Sequence, residues 1–545
     1  MKTVVIGRCQ SRDTLKFLKK YDNVEQFFFD QYVRDLSQFL NKFGTLKKHR
    51  VVEAAKLADE ISGQWYLHNG DDISLYRGDS VGGMIKVSFF YRILDYLLFL
   101  DNVSMLIASN KYDRYYVSDI IFDSLREDVK DKCISYKDSG ENILRSIFKS
   151  YLISAKKFLK GLFHRMRNVK NKVEGDVVLV LDKNTDTLLN ISEHLTAKGI
   201  KCAQVSEKDV AGSTFVSPVS FINVLMRIRK IIRFGTDNSG SVRFFSDEII
   251  HSIMANHSLI KDVQKFFRRF EGGKVFITAT DVHPFSMAMV SEGKRQSRKT
   301  IQVQHGSFDN AFYSNIAFTP LRSDQMYVWG EGFKKVLVGF GVSRKRVVDT
   351  GCLLPSLGLK PTVLPCSANK VSGYKILYIS ANHTAPIKSY YIKHVLKAIA
   401  SVEMINEVEL VVRTHPGSND TYDFYRLFAR QLNGNIKVTM SDNESLEDDI
   451  CQVNLVINVG VSSTHIKLQE VGRDSICFIP FIVDPLPEGV GVVAYNTIEL
   501  AREIGRLYRN EKSFSTLENS GLEAFVSCYG EDALENAYKG ITKTL

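Results

Sequence analysis

A chain of 545 residues, 44% apolar and 24% charged, is too long for one ordinary hydrophobic core and too rich in apolar residues for extended disorder. Two or three globular domains are expected, and a small binding module is excluded. A net charge of +11 leaves nucleic acid, an anionic membrane surface or anionic substrates as the classes of partner to be separated.

At the N-terminus, MKTVVIGR carries an apolar run too short for a signal peptide and is expected to be a first strand. The longest apolar stretch, Val87 to Leu100, is broken by Arg92 and Asp95 and falls short of the about 20 residues of a spanning helix. No transmembrane helix is expected, and the eight scattered cysteines fit a reducing compartment rather than a disulfide framework or a zinc cluster. A cytoplasmic location follows as the expectation. Residues 1–140 are read as the start of a first Rossmann-like domain carrying a helical insertion, with a separate domain as the alternative.

Residues 141–172 are expected to form a basic amphipathic helix. Between Asn142 and Val173 there is no acidic residue, while nine lysines and arginines accumulate beside an apolar face of helical spacing, Ile143 to Met166. An anionic membrane surface is one partner such a helix fits, through residues 143–172. A helix packed on its own domain with a solvated basic face is the other.

From residue 173 the pattern alternates between strand and helix. VVLVL (Val177–Leu181), KVFITAT (Lys274 to Thr280) and KTIQVQ (Lys299 to Gln304) are strands, and the helices between them imply a mainly parallel sheet over 173–353. A Pro-containing stretch, 354–373, is expected to be a linker. A second alternating series begins at YKILYIS and occupies 374–545. The fold class is therefore α/β, with two Rossmann-like doubly wound domains facing a central cleft, where ligands bind at the carboxyl ends of strands.

Four segments lie directly after predicted strands. Asp281 can act as a base or nucleophile, or cap the following helix. His305, in the run Gln304-His305-Gly306, offers an imidazole beside a loop open to close backbone approach. Arg413 and His415, with Pro416 and Gly417 following, can donate to a phosphate leaving group or form a simple turn. Ser462, Ser463 and Thr464 open a helix whose N-terminus suits an anion, and Glu470, about two turns on, can accept from ribose hydroxyls.

The order of these motifs, QHG, then RTHP, then SST with Glu470 downstream, resembles bacterial surface-polysaccharide glycosyltransferases of the GT-B fold over roughly Val177 to Val493. The HP pair and the Ser/Thr run are similar to those of CMP-sugar-using sialyltransferases and capsule Kdo transferases. The HG and HP histidines are similar to those of CDP-glycerol polymerases. The resemblance implies donor-phosphate binding by His415, Ser462, Ser463 and Thr464 and a catalytic part for His305. The acidic pair plus glycine of many bacterial sialyltransferases is missing, since Asp281 is followed by Val282 and His283, which leaves the base and the stereochemical course open. The expectation is a metal-independent transferase with no cofactor, using a nucleotide-sugar as donor and a glycan or glycolipid as acceptor, with no nucleic-acid partner. No Asp-x-Asp stands at a predicted strand end to hold a metal–nucleotide complex. The alternatives are a sugar-nucleotide epimerase-like enzyme, whose fold shares some of these histidines, and a non-catalytic binder using its charge alone.

Overall fold

The computed structural model of the protein describes residues 2–8, 12–20, 24–34, 47–137, 174–182, 185–210, 240–270, 272–306, 318–354, 373–381, 383–402, 407–415, 422–431, 436–443, 445–460, 474–481, 492–509 and 525–545, with a few single residues between these stretches. The basic helix expected at 141–172, apart from Leu152, and the 354–373 linker, apart from its end residues, lie outside the described residues.

The N-terminal unit has its own parallel sheet, in the order β2-β1-β7-β8. Its strands are β1 (Thr3–Gly7), β2 (Glu25–Phe28), β7 (Arg114–Ser118) and β8 (Cys133–Tyr136). Two small ribbons, β3 (Leu67–His68) with β4 (Asp71–Asp72) and β5 (Leu75–Tyr76) with β6 (Asp79–Ser80), precede a long helix. The helices of this unit are α1 (Arg12–Leu18), α2 (Phe29–Arg34), α3 (Lys48–Gln64), α4 (Val81–Ala108), α5 (Asp119–Ser124) and α6 (Glu127–Lys130). Within α4 lies the apolar stretch Val87 to Leu100; the helix is buried on most sides, and the Ser80 side chain caps it by accepting from the Gly83 N–H. It is a core helix, and no helix among the described residues is long and apolar enough to cross a membrane.

This corrects the expectation that residues 1–140 begin the first Rossmann-like domain as an insertion-bearing segment. Among the described residues β1 pairs with β2 and β7, and it takes no place in the sheet containing Val177–Leu181. Parallel strands need helical crossovers, and the 1–140 region supplies both its strands and its crossovers.

The second sheet runs β10-β9-β11-β12-β13-β14, with every pair parallel. Its strands are β9 (Val177–Leu181), β10 (Cys202–Ser206), β11 (Val275–Thr278), β12 (Lys299–Val303), β13 (Gln325–Val328) and β14 (Val347–Asp349), and its helices include α7 (Thr185–Ala197), α8 (Ser246–Phe267), α9 (Pro284–Arg295) and α10 (Glu331–Gly339). The third sheet runs β17-β16-β15-β18-β19-β20, again parallel. Its strands are β15 (Tyr374–Ile379), β16 (Val408–Arg413), β17 (Ile436–Met440), β18 (Leu455–Val459), β19 (Ser475–Phe478) and β20 (Val492–Ala494). Its helices include α11 (Ala385–Ala400), α12 (Tyr422–Gln431), α13 (Leu446–Cys451) and α14 (Thr497–Tyr508).

In both sheets the first strand has later strands on either side, so the order of connection reverses beside β9 and beside β15, as in doubly wound domains. Runs such as LVINV in β18 are buried at every position, which is why they read as continuous apolar segments rather than alternating ones. The last helix, α15 (Gly530–Thr542), packs on α7, with Lys198 paired to Glu535 at 3.1 Å. The 374–545 segment therefore does not stay with its own sheet: its end completes the core of the second one, where Leu534 and Ile541 join Val177 and Leu188.

Candidate functional site

At the carboxyl ends of the second sheet, Asp281 and His305 take different environments. Asp281 is buried, and its Oδ2 accepts the backbone N–H groups of Arg322 (2.8 Å) and Ser323 (3.0 Å). The Gln302 side chain, with its amide NH2 turned to the carboxylate, donates to both carboxylate oxygens at 3.0 and 3.2 Å. Burial raises the Asp281 carboxyl, against the opposing pull of these backbone donors. The expectation that Asp281 caps the following helix is corrected, since His283 stands at the N-cap of α9, and the carboxylate ties the loop before β13 to the end of β12.

His305 is half-buried and its Nδ1 lies 2.5 Å from the carbonyl of Ala279 on the neighbouring strand end. A carbonyl only accepts, so Nδ1 carries the proton and Nε2 of the neutral ring presents its lone pair. Burial, followed by the neighbouring His283, lowers the His305 pKa, while the Ala279 bond opposes the shift. The strand end is held by Gln304, whose Oε1 accepts from the Trp329 backbone N–H (3.0 Å) and whose carbonyl accepts from the Trp329 indole (3.2 Å). Beyond it, a Cβ on Gly306 would meet nothing within 4 Å. An oriented imidazole held below its ordinary pKa range is suited to taking a proton from a hydroxyl.

At the third sheet Arg413 is taken up structurally. Its Nη1 donates to the carbonyls of Asn443 (3.2 Å) and Ser445 (3.0 Å) and pairs with the buried Asp449, which also accepts from Ser441 Oγ (2.7 Å) and Asn443 Nδ2 (2.8 Å). The guanidinium locks the turn between β17 and α13 through an intradomain ion pair. The acidic run at 444–449 thus contributes a buried partner, Asp449.

His415, at the next strand-end position but one, is exposed. It joins two residues not singled out from the sequence, His383 and Lys388. His383 follows β15; Lys388 lies in the first turn of α11, only 5% exposed, with its backbone N–H donating to Thr384 O at 3.0 Å. Burial, then Lys388 and His415, push the His383 imidazole down to about 4. Burial and Lys388 also lower His415. Two imidazoles depressed by the same lysine at a helix N-terminus form a positive field that an anion would relieve. Thr384 stands at the N-cap of α11 without a side-chain cap bond, so no side chain of its own fills that end. The signal for His383 and Lys388 was available: SANHTAPIK directly follows the strand YKILYI, the same position that selected the other segments.

Ser463 and Thr464 are half-buried in a helical turn beyond β18, after Gly460, whose φ of 73° favours glycine. Pro416, Ser462 and Glu470 lie outside the described residues. Among the described residues no group of three His, Cys, Asp or Glu side chains is arranged to hold a metal.

No family model matches the chain, and no curated protein matches its sequence. Among solved structures, the lipopolysaccharide outer core galactosyltransferase WaaB in its apo form aligns at TM-score 0.43 and 10% identity, covering 68% of this chain and 99% of that one. A glycosyltransferase from Rickettsia africae aligns at TM-score 0.41 and 11% identity, over 68% and 99%. UDP-GlcNAc 2-epimerase of Methanocaldococcus jannaschii, in complex with UDP-GlcNAc and UDP, aligns at TM-score 0.42 and 12% identity, over 67% and 99%. Likenesses this distant decide nothing about the chemistry of this chain, which is carried by its own side chains.

Proposed function

We propose that the protein is a glycosyltransferase that moves a sugar from a nucleotide-sugar donor to a glycan or glycolipid acceptor. The observation that carries this is the group of His383, Lys388 and His415 at the carboxyl ends of β15 and β16, where burial and Lys388 hold both imidazoles below their ordinary range. The donor phosphate would neutralise this group as the glycosidic bond breaks and negative charge accumulates on the leaving oxygen. His305, neutral and oriented by Ala279, would take the proton of the attacking acceptor hydroxyl at Nε2. No step in this scheme calls on a metal, because the cationic side chains supply the leaving-group charge. A CMP-sugar is the donor that the Ser463–Thr464 turn and His415 favour, by their similarity to CMP-sugar transferases. The basic segment 143–172 suits an acceptor presented at an anionic membrane surface.

The test is thermal unfolding of the full chain with CMP, CDP, UDP and GDP, beside the His415→Ala and Lys388→Met variants, because a ligand bound only to the folded state raises the midpoint. Selective stabilisation by one nucleotide, lost in both variants, supports the donor site. No shift with any of the four at millimolar concentration sinks it. Incubation with the corresponding nucleotide-sugar then separates chemistries, since an epimerase alters the sugar with no acceptor present.

A further inference from the structure

Helix α4 touches all three units. Near its N-terminus the Arg322 guanidinium donates to the Gly83 carbonyl at 3.2 Å, joining it to the loop that Asp281 staples. At mid-length Arg92 makes a two-pronged pair with Glu248 of α8, at 2.9 and 2.6 Å. One turn further on, Asp95 reaches the third unit, where its carboxyl lies against Thr384, the N-cap residue of α11.

Asp95 is 1% exposed, and its Oδ1 has no hydrogen-bond partner among the described residues. The Thr384 Oγ1 is likewise buried without a well-aligned bond, so the two groups are adjacent but not locked together. A buried polar atom left in this state is costly unless something else occupies it. Among the described residues the charged and titratable groups around Asp95 are few. Arg92 stands on its own helix, already committed to Glu248 of α8; Tyr32 lies on α2, bonded to Asn102; and on α11 Thr384 is flanked by His383 and Lys388. Burial pushes the Asp95 carboxyl up to about 7, against the opposing effects of Thr384 and Arg92.

We propose that Asp95 is a positioning residue through which the N-terminal unit gates the anion site: protonated, it leaves the N-terminus of α11 to a bound phosphate, and ionised, it places its own negative charge there and competes with that phosphate. The electrostatic reason is that the end of a helix of this length favours one negative charge, and a second close to it is repelled. This rests on the reading of His383, Lys388 and His415 as the phosphate site. It adds that the N-terminal unit, beyond the two Rossmann-like domains, sets donor affinity.

The experiment is calorimetric titration of CMP into the full chain, wild type and Asp95→Asn, between about pH 6 and about pH 8, a range in which His383 stays neutral. The ratio of the two dissociation constants at each pH cancels the titration of CMP itself. We expect a ratio near one at the acid end and about fivefold or more tighter binding by Asp95→Asn at the alkaline end, a coupling within the usual range between sites. A constant ratio across the range overturns the gate. As a second variant, Thr384→Ala removes the hydroxyl that favours the ionised form, and it should move the wild-type step to higher pH; an unmoved step counts against the proposal. Lys388→Met separates the two claims. If it abolishes CMP binding while the Asp95 ratio stays flat, the phosphate site stands and the gate falls; if the wild type binds no CMP at any pH, both fall.

Discussion

The imidazole of His305 and the carbonyl of Ala279 stand 2.5 Å apart on the ends of neighbouring parallel strands, a contact that fixes which ring nitrogen carries the proton. His305→Gln should therefore lower kcat by about 10²- to 10⁴-fold with donor affinity nearly unchanged, the signature of a lost proton acceptor. Because burial and His283 lower the His305 pKa, the base form persists through neutral pH. The acid limb of the kcat/KM profile is expected below about pH 6.5, the ordinary imidazole value. An acid limb at or above that value would contradict the assignment.

Lys388→Met should weaken nucleotide binding by about tenfold or more, the scale of one charge-assisted hydrogen bond. The same substitution removes the charge that depresses His383 and His415, so both imidazoles should titrate at higher pH than in the wild type. Proton NMR of the imidazole resonances checks this without any substrate. Unmoved histidines would show that Lys388 does not act on them.

Asp449→Ala strands the Arg413 guanidinium and should cost about 3 to 5 kcal/mol of stability, as losing one partner of a buried pair does. Asp281→Ala leaves the backbone N–H groups of Arg322 and Ser323 without an acceptor and should also lower the unfolding midpoint. Thermal denaturation reads both. If Asp281→Ala instead kept the wild-type midpoint and lost turnover, the carboxylate would be part of the chemistry.

Asp95 makes stability depend on pH in a defined direction. Its carboxyl is raised to about 7 in the folded chain, so folding favours the protonated form. That contribution is complete below the unfolded carboxyl value, about 4, and is lost as pH rises to and through about 7. Asp95→Asn stays neutral throughout. It should be no more stable than the wild type at about pH 4 and more stable at about pH 8, by up to about 4 kcal/mol, with relaxation around the charge reducing that figure. Midpoints that move in parallel with pH would refute this.

The strands of both Rossmann-like sheets were legible because buried parallel strands such as Val177–Leu181 and Leu455–Val459 are written as unbroken apolar runs. The strand-end rule then led to His305 and His415. It could not show which of the selected side chains are held by partners within the fold, because those of Asp281 and Arg413 arrive about forty residues later, from Arg322 and Asp449. Lys388 also follows a strand end, but its burial is not written in the sequence: a lysine one turn into a helix looks solvated until packing buries it. The strand Thr3–Gly7 was also recognised, but its partners at Glu25–Phe28 and Arg114–Ser118 are separated by long helices, and nothing local assigns it to a sheet of its own.

The return of α15 to α7 bears on how the chain is assembled during synthesis. The strands of the second sheet leave the ribosome before the third sheet, yet Leu534, Ala537 and Ile541, which lie against its core, follow the third sheet in the chain. Until then Val177, Leu188 and Tyr327 lack part of their apolar cover, and the third sheet can fold first. The domain of the second sheet would thus emerge before that of the third and be sealed after it, so a chain stalled or truncated ahead of α15 would present an unfinished second sheet beside a complete third one.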